Sequence, residues 1–291
     1  MELELKRGGR TARVETLGGE LVSYRDERGL EYIWGGDPAY WPGRNPLLFP
    51  IVGMLKEGKI RFDGREYAME RHGFARRREF TPAARGEDWV RLELRESAET
   101  LALYPYSFRL AVEQRLTDTG FSTAVTVANP GEGPLPFCLG AHTGFRCPLE
   151  AGERFEDYEL VFPERESCPT LLLRDGLLDR PAALPCLEDT DTLPLDYRWF
   201  DALDTLIFEG LRSRSVTLRS RKSGRGVRVS FDGFPMLAFW TMPGKKAPYL
   251  CIEPWHGCAA GTAEGPEFTD KAHCIVLAPG ESRTLAYRAD T

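Results

Sequence analysis

The sequence predicts an all-β fold, a sandwich or barrel of many short strands. Three observations carry this. Apolar and polar residues alternate with a period of two wherever any pattern is present, turn signals recur between these stretches, and helical periodicity is weak throughout. A chain of 291 residues is long for one domain, but all-β domains often run past about two hundred residues undivided. No repeat, low-complexity tract or linker divides it, so one domain spanning residues 1–291 is expected.

Taken in chain order, Met1-Glu-Leu-Glu-Leu-Lys6 alternates from its first residue, and Asp63-Gly64 marks a turn. Ser97 to Leu103 fits a short helical turn, with Ser97 as its cap and Pro105 as its stop. In Phe108 to Leu116, the residues Phe108, Leu110, Val112 and Leu116 share one face while Arg109, Glu113 and Arg115 share the other, as a half-buried strand requires. Asp118-Thr-Gly120 turns the chain into a second such strand, Phe121 to Val127, which Asn129-Pro-Gly131 closes. Residues 163 to 200, rich in Pro, Asp and Leu with little alternation, read as long loop excursions, and loops of that length are often functional. Ser215 to Arg219 and Val227 to Phe231 alternate again around Ser223-Gly224 and before Asp232-Gly233. His273 heads the apolar strand Cys274 to Leu277, and Pro279-Gly280 turns away from it.

A net charge of -6 arises from acids and bases interspersed along the chain. No basic stripe suits nucleic acid, and no cationic amphipathic or membrane-length apolar segment suits a bilayer. Small molecules or proteins remain as partners. The opening strand carries no charged leader or apolar signal region, and a cytoplasmic location is expected. The seven cysteines are odd in number, lie in apolar contexts and form no C-x-x-C pair, which suits reduced thiols.

One stretch breaks the apolar logic. In Leu250-Cys-Ile-Glu-Pro-Trp-His-Gly-Cys258, Glu253 ends a run that otherwise reads as a buried strand, and an ionised carboxylate is costly to bury without partners. His72 and His256 are each followed by glycine, and His142 has Gly140 and Gly144 two residues to either side, which favours close approach of a ligand. Each histidine fits a hydrogen-bonded structural role as well, His273 most of all. Metal spacing is absent: there is no H-x-H and no H-E-x-x-H. Phosphate-cradling glycine loops and the G-x-S-x-G elbow are missing too. Arg44 in Gly43-Arg-Asn-Pro-Leu-Leu-Phe-Pro50, Asp204 beside Thr-Leu-Ile-Phe208 and Glu253 with Trp255 set polar groups among aromatic residues, a combination that suits a sugar or a buried structural ion pair.

Together, Arg44 to Gly53 (R-x-P-x-L-F-P-x-x-G), His72-Gly-Phe-Ala-Arg76, Gly140-Ala-His142 with Phe145, Asp204 and Ile252-Glu-Pro-Trp255 resemble the aldose 1-epimerase (mutarotase) family, in particular the bacterial branch associated with lactose operons. The motifs match in order from about residue 10 to residue 288. The resemblance implies a galactose-mutarotase-like β-supersandwich, monomeric or homodimeric, that binds a glucose- or galactose-class monosaccharide without metal or cofactor. It gives Glu253 the role of catalytic base and His142 that of acid, with Arg44, His72, Arg76, Asp204 and Trp255 around the sugar. Glu253 is then expected to stay ionised beside cationic or N–H partners drawn from His142, His72 and Arg44. Two residues depart from the branch pattern: Thr143 stands where proline is usual, and His256 where an aromatic is usual. Two further readings stay open, a hexose-6-phosphate epimerase using the Arg76-Arg-Arg78 run and a non-catalytic carbohydrate-binding or sensing protein.

Overall fold

The computed structural model describes all 291 residues. Strands dominate, and most of them join one 15-stranded antiparallel sheet that curls across the molecule. Near one end of it, the strand order runs from Leu139–Ala141 through Tyr249–His256, Met236–Trp240 and Thr205–Glu209 to Tyr158–Arg174. A separate three-stranded sheet, Glu2–Arg7, Arg10–Glu15 and Glu20–Arg25, packs near the strand Arg109–Leu116.

The alternation read from the sequence is the physical cause of these strands. Side chains of successive residues point to opposite faces, so every second apolar residue reaches the interior. In Arg109–Leu116, Leu110, Val112 and Leu116 are buried, while Arg109, Glu113 and Arg115 stay partly exposed. Gly120–Ala128 pairs with it through the expected turn. One apolar cluster of 72 residues gathers side chains from both sheets. Each fully buried aliphatic or aromatic side chain in it contributes about 1.5–3 kcal/mol. The expected helical turn forms at Ala98–Leu101, capped by Ser97, whose Oγ accepts from the Thr100 N–H while the Thr100 Oγ1 accepts from the Ser97 N–H.

Residues 163 to 200 are not loops. They form most of a long antiparallel hairpin, Tyr158–Arg174 and Leu177–Pro194, followed by a short helix at Tyr197–Leu203. Alternation fails there because the register shifts four times along the hairpin and five prolines interrupt it. The turn at its tip is Asp175-Gly176, with φ of 51° and 77°. An Asp-Gly pair with both residues left-handed is the strongest short-range hairpin signal a sequence offers. The hairpin is held to the body of the protein by the Leu171–Ile207 pairing and by the Thr170 Oγ1, which accepts the Ile207 N–H at 2.9 Å. At its far end the Leu178 N–H donates to the Ala260 carbonyl.

Candidate active site

Pro254 has no N–H, and its effect on the sheet sets up the site. Leu139 and Gly140 pair with His256 and Trp255, Thr143 pairs with Ile252, and the same register holds on both sides of a gap at residues 141–142. Within that gap His142 stands directly opposite Glu253. Freed from the ladder, the two side chains meet, with His142 Nε2 3.3 Å from Glu253 Oε1. Glu253 is 1 % exposed and His142 8 %.

Above this pair lies a cleft of about 290 Å³, large enough for a monosaccharide. Its aromatic wall is Trp41, Trp240 and Trp255. Trp41 stacks on the His142 ring with centroids 4.8 Å apart, while Trp240 and His72 meet that ring edge-on at 5.6 and 5.7 Å. Asp204 and Thr205 supply oxygen acceptors, Arg71 and Arg76 supply cations, and the hairpin tip contributes Leu173 and Gly176 as a rim. Glycine suits that position, with φ of 77° and Met54 Sδ only 2.4 Å from where a Cβ would stand.

His72 is fixed by backbone geometry. It has φ of 66°, its N–H donates to the Gly53 carbonyl, and its Nδ1 accepts the Gly53 N–H at 3.1 Å. Because Nδ1 is an acceptor, neutral His72 carries its proton on Nε2. Burial, then the neighbouring His142 and Arg76, pushes its pKa well below the usual histidine range, so it remains neutral. The following Gly73, with φ of 70°, packs so closely under the chain that a Cβ would lie 2.2 Å from the Phe49 carbonyl oxygen.

The electrostatics of the central pair differ from the expectation that cations keep Glu253 ionised. Burial raises the Glu253 carboxyl well above the ordinary range, and nearby Asp204 raises it further; only Trp255 opposes this. The Trp255 Nε1 is near enough to favour the ionised form but too poorly placed for a hydrogen bond. Burial likewise pushes His142 down to about 3, with Arg76 and Arg71 adding to the effect. With no arginine paired to Glu253, the cleft favours a neutral pair whose single shared proton sits on the carboxyl. Glu253 Oε2 and His142 Nδ1 are buried with no hydrogen-bond partner. Such orphaned groups are rare in folded proteins and point to a missing ligand.

Among the residues singled out from the sequence, His72, Arg76, His142, Asp204, Glu253 and Trp255 line the cleft together. Arg44 does not. Its Nε donates to the Gly35 carbonyl at 3.2 Å and its Nη1 lies 3.7 Å from Glu15. What Arg44 supplies is backbone: its carbonyl accepts the Gly144 N–H at 2.7 Å, and its own N–H, like that of Asn45, donates to the partly buried Glu20 carboxylate. Glu20 in turn is raised by burial. Arg76 has its Nη2 on the Arg71 carbonyl, whereas Arg77 pairs with Glu70 and Arg78 with Glu99, away from the cleft.

Thr143 and His256 now have definite places. Thr143 Oγ1 lies 2.7 Å from Asn45 Oδ1 and 3.0 Å from the Tyr287 hydroxyl, in a buried polar triad behind the strand. His256 lies on the opposite face of its strand from Glu253, with Nδ1 2.8 Å from the His273 carbonyl. His273 itself bonds Glu209 at 2.5 Å. The residues that sequence reasoning missed are Trp41, Trp240, Arg71 and the hairpin tip. Arg71 directly precedes His72 and Trp41 comes three residues before Arg44, so both lay beside strings already chosen.

One cluster has metal-ligand chemistry, since donor atoms of His142, Cys251 and Glu253 lie within 4.8 Å of one another. No helix is long and apolar enough to cross a membrane.

Comparison with known proteins adds three results. A family profile described as aldose 1-epimerase matches residues 1–289. The chain is 41% identical over 295 residues to the plasmid-encoded Protein LacX of Lactococcus lactis subsp. lactis, covering 99% of this chain and 98% of that protein, and 40% identical to its chromosomal counterpart over the same shares. Among solved structures, a galactose mutarotase related enzyme from Lactobacillus acidophilus superposes with a TM-score of 0.95 at 27% identity, covering 100% of this chain and 97% of that one. A galactose mutarotase-like protein from Lactobacillus casei gives 0.91 at 28%, covering 100% and 99%. The fold is therefore the galactose-mutarotase-like β-supersandwich.

Proposed function

Because the chain belongs to the aldose 1-epimerase family, we propose that it interconverts the α and β anomers of a free glucose- or galactose-class aldohexose, with Glu253 and His142 as its acid–base pair. One observation carries this reading: His142 Nε2 and Glu253 Oε1 face each other at 3.3 Å beneath an aromatic-walled cleft of monosaccharide size.

The chemistry needs one mobile proton. Ring opening takes a proton from the C1 hydroxyl and gives one to the ring oxygen; closure on the other face reverses both transfers. With Glu253 ionised and His142 protonated, the carboxylate takes the O1 proton as the imidazolium protonates O5, leaving neutral Glu253 and neutral His142 beside the open aldehyde. After rotation about C1–C2, O5 attacks C1 and returns its proton to His142, while O1 regains one from Glu253. The pair holds one proton before the cycle, two groups share it throughout, and no net proton is consumed. General catalysts of this kind each contribute roughly 10²- to 10⁴-fold.

The buried site favours the neutral arrangement when empty, so the sugar itself supports the charge separation. Hydroxyl groups entering the cleft offer hydrogen bonds to the orphaned Glu253 Oε2, and a carboxylate gains more from such bonds than its acid form does. Trp41 holds the imidazole plane by stacking, while Asp204 and the neutral Nε2–H of His72 serve hydroxyls away from C1. Polarimetry or NMR exchange on fresh α-glucose and α-galactose tests the proposal. Absence of acceleration across common aldoses overturns it.

A second reading has one observation in its favour. Arg71 and Arg76 line the cleft, and neither forms an ion pair with a carboxylate, which leaves two guanidinium groups for a phosphorylated hexose. A kcat/KM for glucose 6-phosphate well above that for glucose would favour it over the first.

A further inference from the structure

Cys251 is part of neither the sugar cleft nor the hydrogen-bond network that supports it, yet it sits where a thiol matters. Period-two alternation along Tyr249–His256 puts Cys251 and Glu253 on the same face, and Cys251 packs behind the catalytic pair with Trp34, Ala247 and Tyr249. Together with His142 it completes a nitrogen, sulfur and oxygen donor set within 4.8 Å.

We propose that a zinc-class divalent cation binds between His142, Cys251 and Glu253 and switches the catalytic pair off. Binding stands on the donor geometry alone; the inhibitory consequence rests on the epimerase reading above. Tetrahedral zinc with ligands at about 2.0–2.3 Å sets its ligand atoms about 3.3–3.8 Å apart. The His142–Glu253 separation of 3.3 Å already meets that spacing, and the sulfur needs a shift of about 1 Å, within the reach of side-chain rotation. The second observation is a buried polar atom without a hydrogen-bond partner on each of two of these ligands, Glu253 Oε2 and His142 Nδ1.

Charge balance favours the ion. A carboxylate and a thiolate offset its two positive charges, so a donor set too costly to ionise alone becomes neutral once the metal is in place. Three protein ligands leave the fourth position directed into the cleft, where water or a sugar hydroxyl completes the tetrahedron. Magnesium and calcium, which demand six or more oxygen ligands, are excluded by the sulfur and nitrogen donors. Bound zinc removes both acid–base groups from use, because the lone pairs they need for proton transfer are committed to the metal.

Cobalt(II) provides a readout that does not depend on turnover. Titration of the purified protein with cobalt is expected to give a thiolate-to-cobalt charge-transfer band that zinc displaces and that Cys251→Ala and Cys251→Ser lack. In the anomerisation assay, zinc is expected to inhibit the wild-type protein reversibly on chelation. In both Cys251 variants the inhibitory concentration should rise at least about tenfold with the metal-free rate unchanged, and magnesium should have no effect. Absence of the band in wild-type protein, or its persistence in a folded Cys251→Ser variant, overturns the proposal. Equal zinc inhibition of wild-type and variant overturns the inhibitory role. A cobalt band in a protein that turns over no aldose supports the site while sinking the catalytic reading, so the two failures are distinguishable.

Discussion

Two glutamates in this molecule are each 1 % exposed, and they are held in opposite ways. Glu166, on the hairpin strand Tyr158–Arg174, accepts the Arg212 N–H at 3.0 Å on one oxygen and the Ser213 N–H at 2.7 Å on the other. Glu253 has a histidine on one oxygen and nothing on the second. Burial is the same; satisfaction is not. A carboxylate with both oxygens met by backbone N–H groups is a clamp, and one left short is poised for something that arrives from outside.

The largest expected effect lies on the unsatisfied side of this contrast. Glu253→Gln and His142→Asn should each lower kcat about 10²- to 10⁴-fold with the fold intact, measured by NMR anomer exchange and circular dichroism. If either variant keeps its rate, the role given to that residue fails. Glu166→Ala inverts the pattern: the buried Ser213 N–H and the partly buried Arg212 N–H lose their acceptor, costing about 2–4 kcal/mol of stability by urea unfolding, while the rate per folded molecule is unchanged. Loss of activity in that variant without loss of stability would erase the distinction between clamp and catalyst.

A pH series sharpens the comparison further. Because the folded Glu253 carboxyl is raised above its unfolded value near 4.5, the native state binds the extra proton, and the contribution of Glu253 to stability falls as pH rises above that unfolded value. Glu253→Gln removes this penalty, so its Tm advantage over wild type should be absent near pH 4.5 and grow towards pH 8. An advantage that is flat with pH contradicts the raised carboxyl. Smaller still, Thr143→Val should cost about 1 kcal/mol by removing one hydroxyl from the Asn45–Tyr287 triad, read by thermal or urea unfolding. His256→Phe, on the strand face away from Glu253, should leave kcat/KM as it is.

The sequence made the strands legible wherever one face is buried and the other wet, as in Arg109–Leu116 and Gly120–Ala128, since alternation is the direct image of that geometry. It made the Tyr158–Pro194 hairpin illegible, because bulges reset the alternation and prolines masquerade as loop. The Asp175-Gly176 turn was the available clue. At the site, Glu253 announced itself by being charged within an apolar run. Its partner distance and the protonation of the pair depend on pairing between segments more than a hundred residues apart, which no local pattern encodes.

The Asp175-Gly176 tip has one more consequence. The proposed proton-transfer pair sits on the strand Tyr249–His256 and in the gap between Leu139–Ala141 and Thr143–Arg146, while the rim contributed by Leu173 and Gly176 is carried in on the long hairpin arm. Part of the cleft wall is therefore separable in the chain from the reactive pair. Under the proposed epimerase activity, exchanging the few residues at the end of the arm offers an engineer a route to new sugar preferences that leaves the reactive pair untouched.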